Sequence, residues 1–191
     1  MNTIPKSGYP FHVLCKPVGS NCNLSCEYCF YQEKCSLFPL TDKYDHKMTY
    51  QMLELFIMQY LGCQPEITRE VTFSWQGGEP TLMGIDFFAK AVELQEKHKL
   101  PGQTVTNTLQ TNGTLIDKHW ASFLADNRFL VGISLDGPEK IHNTYRKNRH
   151  GEGSFREVML GLENLIARNV QFNTLTAVQA HNCWNPAEVY D

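Results

Sequence analysis

Hydrophobic and polar positions along the chain follow two alternating patterns, one typical of strands and one typical of helices. Short segments that are apolar, or that alternate in polarity, predict β-strands. They lie at residues 11–15, 71–75, 104–109, 129–135 and 170–178. Between these segments, apolar residues recur at intervals of three and four, which predicts amphipathic helices. The sequence therefore predicts an α/β protein in which strands and helices alternate.

Capping residues indicate where several of the helices begin. Thr49 and Asp117 each precede a helical apolar pattern, so we expect both to be N-caps. Ser154 and Glu157 have the spacing of a capping box. For the helix that follows Thr49, the spacing predicts a buried stripe made of Met48, Met52, Leu55, Phe56 and Tyr60.

Strict alternation of strand and helix indicates a parallel sheet with right-handed crossovers. Such a sheet is either open and doubly wound, or part of a (β/α) barrel. The Gly-x-Gly-x-x-Gly fingerprint of dinucleotide-binding sheets does not follow the first strand, which favours the barrel. Polar loops after the strands also favour it, because barrels gather functional residues at the carboxyl ends of their strands. We expect a partial (β/α) barrel, truncated after about five strands.

Size and charge exclude several classes of function. The chain has 191 residues and a formal net charge of −3, which suits one domain with a buried core and gives no general attraction to nucleic acid or anionic membranes. No apolar run approaches the roughly 20 residues of a membrane span, and no secretory signal follows Met1. We expect a cytoplasmic protein without nucleic-acid or membrane partners.

Three of the seven cysteines lie close together after the first strand, at Cys22, Cys26 and Cys29. In a reducing compartment this spacing indicates metal binding rather than disulfides. Structural zinc sites and electron-transferring clusters normally have four protein ligands, so three thiolates leave one position open. Alternatively, Cys35 supplies a fourth ligand and closes the site. Cys15 lies in the first apolar segment, where we expect a core residue.

The second strand ends in a glycine-rich motif, Gln76-Gly77-Gly78-Glu79-Pro80. Together with the three cysteines and the aromatic Tyr28 between them, this motif resembles the radical S-adenosylmethionine (SAM) superfamily. The resemblance implies a partial barrel of the radical SAM type and a [4Fe-4S] cluster with Cys22, Cys26 and Cys29 as its metal ligands. S-adenosyl-L-methionine would bind the fourth iron, where one electron cleaves it.

The same resemblance implies a set of cofactor-binding residues, namely Gly77, Gly78, Glu79, Ser134 and Arg146. The two glycines lack a Cβ, so the backbone can approach a ligand closely. Ser134 and Arg146 would meet the ribose and carboxylate ends of the cofactor. Arg149 is the alternative to Arg146, since either planar guanidinium can bind a carboxylate with two hydrogen bonds.

A closer resemblance covers nearly all of the chain. Residues 22–34, 73–82, 110–113 and 134–137 are similar to the anaerobic sulfatase-maturating enzymes. These enzymes oxidise a cysteine or serine of a sulfatase to Cα-formylglycine through a 5'-deoxyadenosyl radical, with electrons from a ferredoxin- or flavodoxin-type donor. On the matching positions Tyr31, Gln76 and Gln110 would face the peptide substrate, because amide groups suit hydrogen bonding to an extended backbone.

Members of that family continue into a cysteine-rich region with two auxiliary clusters, and their general base lies beyond the position of Asp191. Asn185 and Pro186 predict another helix start near the end of this chain. We therefore expect residues 1–191 to form an incomplete radical SAM core domain, without the C-terminal strand and the auxiliary-cluster region. Two alternatives are a related peptide-modifying enzyme that makes a thioether or carbon–carbon link, and a non-catalytic iron–sulfur or zinc module.

Overall fold

Five parallel strands form one sheet, and their order in space is the same as their order in the sequence. The computed structural model describes residues 4–32 and 47–190. The strands are β1 (Val13–Cys15), β2 (Glu70–Trp75), β3 (Thr104–Thr111), β4 (Leu130–Ser134) and β5 (Phe172–Leu175). A doubly wound sheet reverses its strand order at a switch point, whereas this sheet does not. The prediction of a partial (β/α) barrel is confirmed.

Helices connect the strands and cover one side of the sheet. They are α1 (Tyr50–Cys63), α2 (Ile85–His98), α3 (Lys118–Asp126), α4 (Glu139–Tyr145), α5 (Phe155–Ala167) and α6 (Pro186–Tyr190), with a short 3-10 helix at Pro80–Met83. The sequence analysis missed α4, because its seven residues are too few to show an apolar period. No helix within the described ranges has the length and apolarity that a membrane span requires.

The sheet has one apolar and one polar face. Alternate residues of β2, β3 and β4 are buried under the helices, namely Val71, Phe73, Trp75, Leu109, Val131 and Ile133. The residues between them are polar and only partly buried, as in Thr72 and Thr106, whose hydroxyl oxygens lie 2.9 Å apart across the two strands. This polar face is the interior side of the partial barrel, and it leads to the carboxyl ends of the strands.

Two of the predicted helix caps are present. Thr49 Oγ1 accepts a hydrogen bond from the Met52 amide at 3.2 Å, at the start of α1. Asp117 Oδ1 accepts one from the Trp120 amide at 2.8 Å, at the start of α3. Both bonds satisfy amides that have no partner inside their helix.

The predicted apolar stripe of α1 was wrong at two positions. Met52 and Leu55 are 53% and 42% exposed, while Met48 and Phe56 pack against the core and Tyr60 is buried in it. The fully buried face of the helix consists of Leu53, Ile57, Tyr60 and Leu61. These residues follow the i, i+4, i+7, i+8 spacing of one helix face. The helix is therefore rotated relative to the prediction.

The predicted capping box at Ser154 was also wrong. The Ser154 hydroxyl donates to the Arg146 carbonyl at 2.9 Å and lies 3.1 Å from His142 Nε2, so it does not cap α5. Asn143 Oδ1 accepts the hydrogen bond from the Phe155 amide instead, at 3.0 Å. A tertiary contact between α4 and α5 thus replaces the local capping motif.

Candidate functional site

The three cysteines after β1 line a single cavity at the carboxyl ends of β1 and β2. The cavity has a volume of about 390 Å³, and Cys22, Cys26 and Cys29 all belong to its wall. The same wall contains Tyr31, Gly77, Gly78 and Arg149. Segments that are distant in the sequence thus meet around the cysteine loop, as the barrel hypothesis requires.

The remaining described cysteines are separate from this cavity. Cys15 is only 5% exposed in β1, which confirms it as a core residue, and burial raises the pKa of its thiol to about 12. Cys63 ends α1, and Cys183 lies on the surface. Cys35, the alternative fourth ligand, lies outside the described residues.

Burial raises the pKa of two of the three loop thiols. It raises the pKa of Cys22 to about 11 and raises the pKa of Cys26, on which the Arg146 charge acts in the opposite direction. Coordination to a metal removes such protons. Within residues 4–32 and 47–190, no three His, Cys, Asp or Glu side chains converge on one ion. In a four-iron cluster each cysteine binds a different iron, so its ligands surround a cavity instead.

The end of β2 holds the beginning of the cysteine loop. The Gly78 amide donates to the Gly19 carbonyl at 2.9 Å, and the Glu79 amide donates to the Asn21 carbonyl at 2.8 Å. A Cβ on Gly78 would overlap the Asn21 carbonyl, and Gly77 has a φ of +127°, which disfavours other residues. The sequence analysis attributed these glycines to close approach by a ligand. The close approach that requires them here is that of the cysteine loop itself.

Glu79 is fully buried and links the ends of β2 and β3. Its Oε1 accepts hydrogen bonds from the amide and hydroxyl of Thr81 and from the Thr111 hydroxyl, and its Oε2 accepts one from the Asn112 amide at 2.7 Å. Burial raises the pKa of the Glu79 carboxyl, and the hydrogen bonds from Asn112 and Thr81 act in the opposite direction. The carboxylate does not line the cysteine cavity.

Asn112 connects β3 directly to the first cysteine. Its Nδ2 lies 3.6 Å from Cys22 Sγ and donates to Asn23 Oδ1 at 2.9 Å. The sequence analysis included Asn112 in a matched segment and gave it no role. The polar Gln110-Thr111-Asn112-Gly113 turn after a strand was the signal for it.

The segment after α4 holds the other side of the cysteine loop. The Ser25 amide donates to the Lys147 carbonyl at 2.7 Å, and the Glu27 amide donates to the Tyr145 carbonyl at 3.1 Å. Leu24 forms an antiparallel bridge with Asn148. Backbone hydrogen bonds therefore set the path of the loop on this side, largely independently of the side chains involved.

A buried ion pair lies behind Cys26. Arg146 donates from Nε and Nη2 to the Asp136 carboxylate, at 2.8 and 3.1 Å. The Tyr28 hydroxyl, from within the cysteine motif, donates to Asp136 Oδ2 at 2.5 Å. Burial opposes ionisation of Asp136, but Arg146 and the other donors outweigh it and lower the pKa of this carboxyl. Asp136 is not among the site residues that the sequence predicts.

The two arginines considered for the cofactor carboxylate occupy different places. The Arg146 guanidinium is buried against Asp136 and lies over the Tyr28 ring, 5.4 Å from its centroid. Arg149 is exposed and donates from Nη2 to the Cys22 carbonyl at 2.6 Å and to Asn21 Oδ1 at 3.3 Å. Only Arg149 belongs to the wall of the cysteine cavity. The role of each arginine stays a prediction.

The predicted substrate residues are divided between the cavity and the polar face of the sheet. Tyr31 lines the cavity, with Lys16 Nζ 5.0 Å from its ring centroid. Gln110 donates from Nε2 to Ser134 Oγ at 3.2 Å, near the carboxyl ends of β3 and β4. The backbone amide of Gln76 donates to the Cys15 carbonyl at 2.8 Å and so extends the pairing of β1 with β2. These three assignments also stay predictions.

Comparison with known proteins identifies the family. A family model described as "Radical SAM superfamily" matches residues 17–182. The chain belongs to the radical SAM superfamily. The matched range includes the three loop cysteines and every strand except β1. Radical SAM proteins use a [4Fe-4S] cluster and S-adenosyl-L-methionine, and this chain has the three-thiolate set that such a cluster requires.

Curated relatives of this radical SAM chain include both types of sulfatase-maturating enzyme. The serine-type anaerobic sulfatase-maturating enzyme of Bacteroides thetaiotaomicron is 42% identical over 182 residues, which cover 95% of this chain and 43% of the relative. The cysteine-type enzyme of Clostridium perfringens is 42% identical over 185 residues, with 95% and 48% coverage. The chain thus spans less than half of the length of these relatives.

Solved structures also match this chain over most of its length. The structure of native anSMEcpe with bound AdoMet matches this radical SAM chain with a TM-score of 0.84 and 41% identity, over 95% of this chain and 48% of the other. The structure of the same protein with AdoMet and the Cp18Cys peptide matches with a TM-score of 0.82 and 40% identity, over 95% and 46%. The fold of this chain is therefore similar to that of the matched part of anSMEcpe.

Proposed function

We propose that this chain is the radical SAM part of an anaerobic sulfatase-maturating enzyme, which oxidises a cysteine or serine of a sulfatase to Cα-formylglycine. The observation that carries the proposal is the placement of Cys22, Cys26 and Cys29 on one cavity beside Gly77 and Gly78. Similarity to both the serine-type and the cysteine-type enzymes over 95% of the chain supports it.

In this proposal the three loop cysteines hold three irons of the [4Fe-4S] cluster. Their thiols share a cavity of about 390 Å³ with the glycine-rich loop, and three protein ligands leave one iron free for an exogenous ligand. Backbone hydrogen bonds on both sides of the loop, such as Glu79 to Asn21 and Ser25 to Lys147, hold these ligands in place.

S-adenosyl-L-methionine binds, in this proposal, next to Gly77, Gly78, Glu79, Ser134 and Arg146. The cavity wall formed by the two glycines and the position of Ser134 at the carboxyl end of β4 support this assignment. Arg146 uses Nε and Nη2 for Asp136. A guanidinium has five N–H groups, so N–H groups of Nη1 and Nη2 remain for the cofactor carboxylate. For Glu79, the backbone faces the cysteine loop while the carboxylate supports the loop from behind.

The substrate in this proposal is an extended peptide segment of a sulfatase. When bound, the cluster and S-adenosyl-L-methionine supply a deoxyadenosyl radical, which removes a hydrogen atom from Cβ of the target residue. Loss of a second electron and a proton, which pass to an electron acceptor and a base, then gives the aldehyde from serine. From cysteine it gives a thioaldehyde, which water converts to the aldehyde with release of hydrogen sulfide. Tyr31, Gln76 and Gln110 orient the peptide through their hydroxyl and amide groups, supported by their places at the cavity and strand ends.

Further parts of the proposal concern domain organisation and partners. Residues 1–191 act as one radical SAM core domain, supported by the single five-stranded sheet. A ferredoxin- or flavodoxin-type protein donates the electron that reduces the cluster. The protein works in the cytoplasm, where the thiols of its described cysteines stay reduced, consistent with their unpaired state.

Anaerobic reconstitution with iron and sulfide, followed by electron paramagnetic resonance, tests the cofactor part of the proposal. We expect a reduced four-iron signal that changes when S-adenosyl-L-methionine is added, since the cofactor binds an iron directly. A signal that is unchanged by the cofactor contradicts the open-site assignment and favours a non-catalytic iron–sulfur module.

Incubation of a longer form of this chain, extended to the length of its relatives, with a sulfatase-derived peptide tests the substrate part. Mass spectrometry should show oxidation of the serine or cysteine to formylglycine, with a Gln110→Ala variant retaining cofactor cleavage but requiring more peptide. Cofactor cleavage without peptide oxidation contradicts sulfatase maturation and favours a different peptide modification, such as a thioether or carbon–carbon link. Both experiments include the full-length relative from Clostridium perfringens as a positive control, because this chain spans 48% of it.

A further inference from the structure

The side chain of Asn112 is buried against the sulfur of the first cysteine ligand. It is 7% exposed, and its Nδ2 lies 3.6 Å from Cys22 Sγ and 2.9 Å from Asn23 Oδ1. The Leu24 amide also donates to Cys22 Sγ, at 3.4 Å. Among the described residues, no side-chain amide donates to the sulfur of Cys26 or Cys29. In this part of the chain, Cys22 therefore differs from Cys26 and Cys29 in that its sulfur accepts a hydrogen bond from a side-chain amide.

Thr114 fixes which end of the Asn112 amide faces the sulfur. Asn112 Oδ1 accepts hydrogen bonds from the Thr114 amide at 3.0 Å and from its hydroxyl at 2.7 Å. Asn23 Nδ2 donates to Thr114 Oγ1 at 2.8 Å and closes the ring of contacts. Since both donors of Thr114 require an oxygen, the NH2 group of Asn112 must point toward Cys22.

We propose that Asn112 is a positioning residue that raises the reduction potential of the cluster by donating an N–H hydrogen bond to the Cys22 sulfur. This inference rests on the proposed function, because it requires the cluster to be bound by Cys22. Hydrogen bonds to the sulfur ligands withdraw negative charge and so stabilise the reduced, more negative cluster. They also hold the cysteine in the orientation that coordination needs.

Asn107, in β3, provides a matched control close to Asn112 in the sequence. It is 6% exposed, close to the value for Asn112, and its amide bonds to Gln95 and Trp75 at 2.8 to 2.9 Å. It lies on the apolar face, away from the cysteine cavity. Replacing either asparagine with alanine removes a buried side-chain amide, but only Asn112→Ala removes a donor to a cluster ligand.

The test measures the midpoint potential of the reconstituted wild-type, Asn112→Ala and Asn107→Ala proteins by redox titration followed with electron paramagnetic resonance. We expect Asn112→Ala to shift the reduction equilibrium two- to tenfold toward the oxidised cluster, which is about 20–60 mV more negative for one electron. Asn107→Ala should keep the wild-type potential. An unchanged potential in Asn112→Ala, or an equal shift in Asn107→Ala, overturns the inference.

A second variant covers the case in which Asn112→Ala loses the cluster. Thr114→Val removes one of the two donors that orient the Asn112 amide and leaves the amide in place. We expect a smaller shift in the same direction, and no shift overturns the inference. Failure of the wild-type protein itself to bind iron overturns the proposed function. It also overturns the inference, which requires a bound cluster. If the wild type binds the cluster and the variants keep its midpoint potential, the inference is overturned while the proposed function stands.

Discussion

Asp136 and Arg146 form a buried ion pair directly behind the cysteine loop, with 1% and 10% of their side chains exposed. The Tyr28 hydroxyl binds the same carboxylate, so the pair connects the cysteine motif to the end of β4 and to the segment after α4. A buried charge is tolerated when it is paired and hydrogen-bonded. This relationship makes the ion pair a structural support of the site.

Asp136→Asn should destabilise the protein by about 3–5 kcal/mol, because it leaves the Arg146 charge buried without its partner. The matched control is Glu27→Gln, which breaks the exposed pair with Lys147 and should cost about 0–1 kcal/mol. Urea unfolding of both variants measures the difference. Equal losses in the two variants would show that the buried pair does not support the fold.

His142 should make stability depend on pH. Burial and the Arg146 charge lower its pKa to about 4, while Asp136 acts in the opposite direction. The folded-state pKa lies below the unfolded value of about 6.5. The contribution of neutral His142 to the free energy of unfolding is therefore fully present above pH 6.5 and is lost as the pH falls toward 4. The difference between the folded and unfolded pKa of His142 corresponds to about 3 kcal/mol in the free energy of unfolding.

Unfolding free energies of the wild type and His142→Gln between pH 4 and pH 7 check this expectation. Replacement removes the titrating group, so the slope of stability against pH should become flatter over that range. His119, which is exposed, serves as the control, and His119→Gln should keep the wild-type slope. A wild-type slope in His142→Gln would refute the role of this histidine.

Glu79→Gln should loosen the link between β2 and β3. The new amide group would place a donor against the Asn112 amide, which now donates to Oε2 at 2.7 Å. An unsatisfied buried donor costs about 1–3 kcal/mol, and movement of Asn112 should lower iron content after reconstitution. Glu66→Gln, at an exposed position, should change stability by less than about 0.5 kcal/mol. The prediction fails if both variants match the wild type.

Gly78→Ala should displace the cysteine loop. The added Cβ would overlap the Asn21 carbonyl, and neighbouring backbone must move to relieve it, at a cost of about 1–3 kcal/mol. Iron content should fall along with stability. Gly8→Ala is the control, since nothing lies within 4 Å of a Cβ at that position. Full iron content in Gly78→Ala would mean that the loop adapts without this glycine.

Cys26→Ala should abolish cluster binding, because two thiolates do not hold the cluster in this cavity. Iron and sulfide analysis after anaerobic reconstitution measures the loss. Cys63→Ala, at the end of α1 and outside the cavity wall, should retain wild-type iron content. Cys35→Ala should also retain it, and complete loss in that variant would instead support a closed four-ligand site.

The sequence by itself determined the features that depend on near neighbours. Alternation of strand and helix patterns was enough for the partial barrel, and Thr49 and Asp117 cap their helices through amides three residues away. Local patterns failed where a distant partner competed for the same group. Ser154 has the spacing of a capping box, yet its hydroxyl bonds to Arg146 and His142.

Only the tertiary structure decided how the site is supported. Asn112 is 90 residues from Cys22 in the sequence, and its amide reaches the sulfur because parallel strands bring their carboxyl ends together. Asp136 similarly binds Tyr28, which is 108 residues away in the sequence, and Arg146, which is 10 residues away. The cysteine spacing predicts the cluster ligands, and the structure brings Cys22, Cys26 and Cys29 to one cavity. The residues that orient them follow from the order and register of the strands, which no local pattern contains.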